Sequence, residues 1–234
     1  MSIKLYHGDC LEIMPTLAAK SIDMIFSDIP YGTTRNKWDR ALPLDKLWAE
    51  YERIIKDNGA ILLFSQTPFD KILAMSNLKR LKYEWIWEKS QGSGHLNAKK
   101  MPLKKHENIL VFYKSLPTYN PQMTEGKPYT CKNGKGSSSY DIQKQVVTVC
   151  NGLRYPSSVL RFASEKGYHA TQKPVSLCEY LIKTYTNEDE TILDSCMGSG
   201  SIGIAARNCN RNFIGIEQDE KYFDIAKRRV NGGE

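Results

Sequence analysis

The chain has 234 residues, enough for one α/β domain with a real core and short for two full domains. Hydrophobic and charged fractions of 41% and 25% are ordinary for a globular chain, and no apolar run is long enough to span a bilayer. A net charge of +7 suits an anionic partner, and six scattered cysteines without a CxxC pair argue against a zinc ribbon or a disulfide framework.

Met1 to Cys10 has neither a charged n-region nor an apolar h-region, so no secretion signal is expected and a reducing cytoplasm fits best. Ile3 to Tyr6 reads as a short strand, Leu11 to Ala18 as a short helix and Ile22 to Phe26 as a buried strand stopped by Pro30. Leu44 to Lys56 is apolar every three or four residues and predicts a helix ended by Asn58-Gly59. Ala60 to Ser65 follows as a strand, Pro68 to Leu78 as a helix, and Tyr83 to Trp87 and Ile109 to Tyr113 as further strands. Residues 115–167 are rich in Pro, Gly, Ser, Asn, Lys and Tyr. So long a structureless loop is improbable, and interleaved aromatic and basic residues favour an inserted recognition segment over a disordered linker. Regular structure then resumes: helix Val175 to Tyr185, strand Thr191 to Leu193, helix Ile202 to Asn208, strand Phe213 to Ile216 and helix Lys221 to Val230. Strands alternating with helices predict a Rossmann-like α/β fold: a mostly parallel twisted sheet, helices on both faces and a small irregular insert. The expected division is 1–114, 115–167 and 168–234, with the first and last pieces forming one domain.

Two segments carry chemistry. The strand ending at Asp194 runs into Ser195-Cys196-Met197-Gly198-Ser199-Gly200, and the next strand ends in Glu217-Gln218. Gly198 and Gly200 let the backbone turn tightly beside a ligand, and a carboxylate ending the second strand can accept both hydroxyls of a ribose. The unit points to a nucleoside-containing cofactor, or to a turn packed for its own sake. Gly198, Gly200 and Gly203 also satisfy the dinucleotide GxGxxG pattern, which keeps an NAD-dependent oxidoreductase in view. Asp194 would repel a pyrophosphate but suits a cofactor carrying a sulfonium and an ammonium, which points to S-adenosylmethionine.

The second segment is Asp28-Ile29-Pro30-Tyr31, at the carboxyl edge where α/β sheets bind ligands. An exocyclic base amine is a poor nucleophile because its lone pair is delocalised into the ring. The Asp28 carboxylate and the Ile29 carbonyl, held extended by Pro30, can accept its two hydrogens, while Tyr31 can stack on a base drawn out of a duplex. A strand-ending turn with a capping aspartate is the plainer alternative.

Together these segments resemble the amino-group DNA methyltransferases, whose hallmark is D/N/S-P-P-Y/F/W, in the β arrangement of that family. Gly8-Asp9-Cys10-Leu11 is similar to the family's G-D-x-L, His169-Ala170-Thr171-Gln172-Lys173-Pro174 to its H-x-T-Q-K-P, and Asp194 to Ser201 to its D-P-F-x-G-S-G-T. Trp87-Glu88-Lys89 and His106-Glu107-Asn108-Ile109-Leu110 also look like family segments. The resemblance spans nearly the whole chain except 115–167. It implies methyl transfer from S-adenosylmethionine to N6 of adenine in double-stranded DNA, with N4 of cytosine as the alternative. It further implies that Asp9, Cys10, His169, Thr171, Lys173, Asp194 to Cys196, Gly198 to Gly200, Glu217 and Gln218 hold the cofactor.

Two departures, Ile29 for the first proline and Ser195-Cys196 for Pro-Phe, keep a catalytically inactive DNA-binding relative in view. Lys99, Lys100, Lys104, Lys105 and Arg154 are expected on DNA phosphates. His7, His95, His106 and His169 show no i, i+4 pairing and no carboxylate at zinc spacing, so no metal is expected. A homodimer and a cognate restriction endonuclease are compatible partners that the residues do not specify.

Overall fold

The computed structural model describes residues 1–32, 41–132, 147–165, 167 and 172–233. The backbone forms two compact units: Met1–Asn120 with Ser158–Glu234, and Pro121–Ser157. The first unit begins with β1 (Ile3–His7), α1 (Cys10–Ile13), β2 (Ile22–Ser27), α2 (Leu44–Ile54), β3 (Ile55–Ser65), α3 (Phe69–Ser76), β4 (Leu81–Ser93) and β5 (Lys104–Phe112). The small unit holds β6 (Thr124–Glu125), β7 (Tyr129–Lys132), β8 (Val147–Cys150) and β9 (Leu153–Arg154), with β6 paired to β9 and β7 to β8. The first unit resumes with β10 (Val159–Phe162), α4 (Val175–Tyr185), β11 (Thr191–Asp194), α5 (Ser201–Asn208), β12 (Asn212–Glu217) and α6 (Glu220–Val230).

Eight strands form one sheet in the order β1-β12-β11-β2-β3-β5-β4-β10. β5 runs antiparallel to both neighbours, and every other pairing is parallel. Such a sheet is stable only with both faces covered. The period-two alternation of its strands supplies two apolar faces. Met24, Phe26, Leu62 and Phe64 pack with Leu177 and Leu181 of α4, Ile202 of α5 and Ala226 of α6. Ile25, Ile61 and Leu63 pack on the other face with Leu47 and Tyr51 of α2 and Phe69 and Leu73 of α3. The Rossmann-like architecture expected from the sequence is the one observed.

Two differences from the sequence reading have local causes, and two come from strand pairing. The helix expected over 11–18 is the four-residue α1 followed by a 3-10 turn at Met14–Thr16, because Pro15 cannot donate to a continuing helix. The helix expected to reach Lys56 ends at Ile54; Ile55 is already extended and pairs with Ile22. β4 and β5 are far longer than their apolar stretches. Their polar outer halves pair with one another, Glu88 with His106 and Ser93 with Lys104. Within 115–167, Val159–Phe162 is an edge strand of the main sheet, paired with β4 and burying Leu160. Among the described residues no helix is long and apolar enough to cross a membrane, and no group of three or more His, Cys, Asp or Glu side chains is placed to hold a metal ion.

Candidate active site at the carboxyl edge of the sheet

The register brings the chemically loaded strand ends together. His7 lies beside Glu217, Asp194 beside Gly215, and Ser27 beside Leu63, so β1, β12, β11, β2 and β3 all finish at one edge of the sheet. Their loops enclose a cavity of about 800 Å³ lined by both Asp28 and Glu217. Two segments almost two hundred residues apart in sequence therefore share one space.

On one side the turn after β11 meets the end of β12. Gly198, at φ +51°, donates its N–H to Glu217 Oε2 at 2.8 Å, and Asp219 N–H donates to Oε1 at 2.8 Å. Burial nevertheless pushes the Glu217 carboxyl up from its ordinary range. Asp194, wholly inside, is pushed up to about 8 by burial, against the opposing hydrogen bonds from the Cys196 N–H and from Ser27. A buried carboxylate and a half-buried one, both hard to ionise, are suited to a cationic group, whose charge would replace the missing solvation. The chemistry of these donors thus fits a nucleoside cofactor carrying positive charge. Cys10, Ser195, Cys196, Ser199 and Gln218 complete the wall. Asp9 lines it too, while its Oδ1 caps α1 by accepting Leu11 N–H at 2.8 Å. Gly200 does not line the cavity. Its φ is +83°, and an added Cβ would lie 2.9 Å from Val230 Cγ2, so its role is to let α5 pack against α6.

On the other side Asp28 holds two partners. Tyr31 donates its hydroxyl to Asp28 Oδ1 at 2.7 Å, and Lys173 Nζ lies 2.6 Å from Oδ2. The Tyr31 ring is stacked on Phe69, centroids 5.1 Å apart. Pro30 and Ile29 line the cavity between these groups, with Ile29 buried in the α2–α3 core. Lys173 is also 3.2 Å from Glu107 Oε2, and Lys89 bonds Glu107 Oε1. Burial opposes ionisation of Glu107, but Lys173 and Lys89 together hold its carboxyl below the ordinary range.

A family model of DNA methylases matches residues 22–228. The chain belongs to the N6/N4 DNA methylase family. It is 29% identical to the DNA adenine methyltransferase YhdJ of Escherichia coli K12, over 97% of this chain and 82% of that protein. It is 26% identical to the type II methyltransferase M2.MboI of Moraxella bovis, over 98% of this chain and 88% of that one. Among solved structures, the M1.HpyAVI–SAM complex superposes with a TM-score of 0.68 at 25% identity, covering 98% of this chain and 99% of that one.

The places where this DNA methylase departs from its family's patterns are filled rather than empty. Ile29 keeps its carbonyl and adds core packing, at 1% exposure. Ser195 takes part in a buried hydroxyl cluster: its Oγ lies 2.5 Å from Tyr51 Oη and 3.2 Å from Ser27 Oγ, and its N–H donates to Ser27 Oγ at 2.9 Å. His169 and Thr171 lie outside the described residues, as does Trp38. Lys99, Lys100, Lys104 and Lys105 are exposed around the turn that joins β4 to β5, three residues or fewer of β5 separating Lys104 and Lys105 from Glu107 in the cavity wall. Arg154 sits in the small unit, where it bonds the Lys127 carbonyl and lies 4.6 Å over the Tyr129 ring. Trp48, Trp85 and Trp87 are buried in the core. Sequence reasoning missed Glu107 as part of the site. The available signal was its parity: Glu107, Ile109 and Val111 alternate along β5, placing a carboxylate at a position where the pattern calls for an apolar side chain.

Proposed function

We propose that the protein transfers a methyl group from S-adenosylmethionine to N6 of adenine in double-stranded DNA. One observation carries the reading: Asp28 and Glu217, ending different strands, line the same cavity. The names of the Escherichia coli relative and of the M1.HpyAVI complex support the reaction and the cofactor. The cofactor supplies an electrophilic methyl on a positively charged sulfur. Glu217 would receive its ribose hydroxyls, Asp9 would meet its adenine and Asp194 its cationic end. Cys10, Ser195, Cys196, Gly198, Ser199 and Gln218 would enclose it, with His169 and Thr171 assigned to the methionine end. A nicotinamide dinucleotide would set a pyrophosphate beside Asp194, an electrostatic conflict whenever that carboxyl is ionised.

The residues around Asp28 do the positioning. The target base leaves the helix to reach the cavity. Its amino group displaces the Tyr31 hydroxyl from Asp28 Oδ1 and donates its second hydrogen to the Ile29 carbonyl. Both acceptors raise electron density on nitrogen and fix its orientation, so rate enhancement comes from preorganised geometry and electrostatics. Tyr31, backed by Phe69, offers a stacking face. The exposed lysines of the β4–β5 turn contact phosphates. Within segment 115–167 the small unit Pro121–Ser157, with Arg154, reads the sequence, while 1–114 and 168–234, together with the edge strand Val159–Phe162, form the catalytic and cofactor halves of one domain. The cytoplasm, where DNA and cofactor meet, is the matching location.

The test is incubation with methyl-labelled S-adenosylmethionine and unmethylated double-stranded DNA, followed by digestion to nucleosides. Labelled N6-methyldeoxyadenosine is expected. Label only in N4-methyldeoxycytidine would move the reading to cytosine, and no labelled nucleoside would refute it.

A further inference from the structure

The two oxygens of Asp28 have partners of different kinds. Oδ1 takes a neutral hydroxyl from Tyr31, and Oδ2 takes the buried ammonium of Lys173. Lys173 is 6% exposed, and its ammonium lies 3.2 Å from Glu107 Oε2 and 5.0 Å from the centre of the Phe64 ring. Lys89 closes the row on Glu107 Oε1. Signs therefore alternate through Lys89, Glu107, Lys173 and Asp28. An isolated buried ammonium would tend to lose its proton. Burial opposes the charge on Lys173, but Asp28 and Glu107 outweigh it and hold the lysine above its ordinary range. A neutral hydroxyl can be displaced by an arriving amine; displacing the buried cation would strip Asp28 of its ion pair and leave Glu107 Oε2 without its counter-charge.

We propose that Lys173, itself held by Glu107 and Lys89, is the positioning residue that fixes Asp28 Oδ2 and leaves Oδ1 as the oxygen that receives the target amino group. The proposal rests on the methyl-transfer reading above. Lys173 does not touch the substrate; it orients Asp28 and balances its charge. Charged and titratable groups facing Asp28 come from several elements. Among the described residues they are Tyr31 in its own segment, Lys173 just before α4, Cys178 in the first turn of α4, Asp194 ending β11, and Glu107 of β5 through Lys173. Lys173 supplies the positive charge among these. Its loss would leave Asp28 Oδ2 without this partner and the carboxylate free to turn, and loss of the Glu107 charge would slacken Lys173 without removing it.

The experiment compares wild type, Lys173→Met and Glu107→Gln. It measures initial rates of methyl transfer to amplified, unmethylated bacterial DNA across DNA concentration, at saturating cofactor, so that kcat and KM separate. S-adenosylhomocysteine binding and thermal melting are recorded alongside. Lys173→Met should bind S-adenosylhomocysteine as wild type does and lose about a hundredfold in kcat with little change in KM for DNA. Glu107→Gln, which keeps Lys173 beside Asp28, should show a smaller loss of kcat in the same pattern. A Lys173→Met variant with wild-type kcat would overturn the proposal, as would a loss confined to KM. Loss of cofactor binding with full kcat at saturation would instead make Lys173 a cofactor ligand and overturn it too. Should Lys173→Met fail to fold, Glu107→Gln decides, and a wild-type kcat in that variant would overturn the proposal. No transfer by wild type would sink the methyl-transfer reading itself; transfer by wild type with indifferent variants would sink this proposal alone.

Discussion

Replacing Asp194 with asparagine tests how the cavity recognises a cation. In the free protein burial pushes the Asp194 carboxyl up to about 8, so near pH 6 only about one molecule in a hundred carries the charge. If the cofactor's cationic end requires that charge, each pH unit below about 8 weakens binding by about tenfold, or ~1.4 kcal/mol. Affinity for S-adenosylmethionine should therefore rise about fiftyfold from pH 6 to pH 8 and level above that. Close to one proton should be released per cofactor bound at neutral pH. Isothermal titration in two buffers of different ionisation enthalpy measures both quantities. Asp194→Asn should bind more weakly at pH 8 and lose the pH dependence. The same raised value has a consequence for stability. The folded protein holds this proton more tightly than the unfolded chain, whose aspartate titrates near ~3.9. That contribution is fully present below the unfolded value and is lost as pH rises through about 8. Free Asp194→Asn should accordingly melt higher than free wild type at pH 8 to 9. A cofactor affinity flat from pH 6 to 8 in wild type, with no proton released, would refute the reasoning.

Other outcomes follow from the same geometry. Asp28→Ala should bind cofactor normally and lose about a hundredfold or more in kcat; full activity measured by label incorporation would remove Asp28 from the mechanism. Changing Lys99, Lys100, Lys104 and Lys105 together to alanine should flatten the log–log dependence of DNA affinity on salt by roughly 0.9 for each phosphate that is no longer neutralised, and an unchanged slope in fluorescence anisotropy would place the DNA elsewhere. Gly200→Ala should cost ~1–3 kcal/mol, because its Cβ would meet Val230 Cγ2 at 2.9 Å and Ala226 Cβ at 3.1 Å on a backbone at φ +83°. A melting temperature equal to wild type would contradict that packing.

The most legible parts of the chain were those where local pattern and tertiary role coincide. β2, β11 and β12 are apolar runs that end in a turn or a carboxylate, and those ends are what the cavity uses. The turn glycines and Asp28–Tyr31 were readable for the same reason. Elements stabilised by partners remote in sequence were harder. The outer halves of β4 and β5 are polar and exist because each pairs with the other. β10 is four residues inside a loop-like composition and becomes a strand because β4 offers an edge. Lys173 could be read only as a cofactor contact or a solvated side chain. Its ammonium faces Asp28 and Glu107, which lie at the end of β2 and on β5, and no local pattern announces an ion pair between segments so far apart in sequence.

The central claim is that Asp28 directs methyl transfer to an adenine amino group from the cavity that Glu217 also lines. The most direct measurement is sequencing, with detection of modified bases, of DNA from cells that express wild type or Asp28→Ala in a host without adenine methylation. N6-methyladenine at a defined sequence with wild type, and its absence with Asp28→Ala, is the predicted result. Unmodified DNA with wild type, or equal modification by both proteins, would contradict the account.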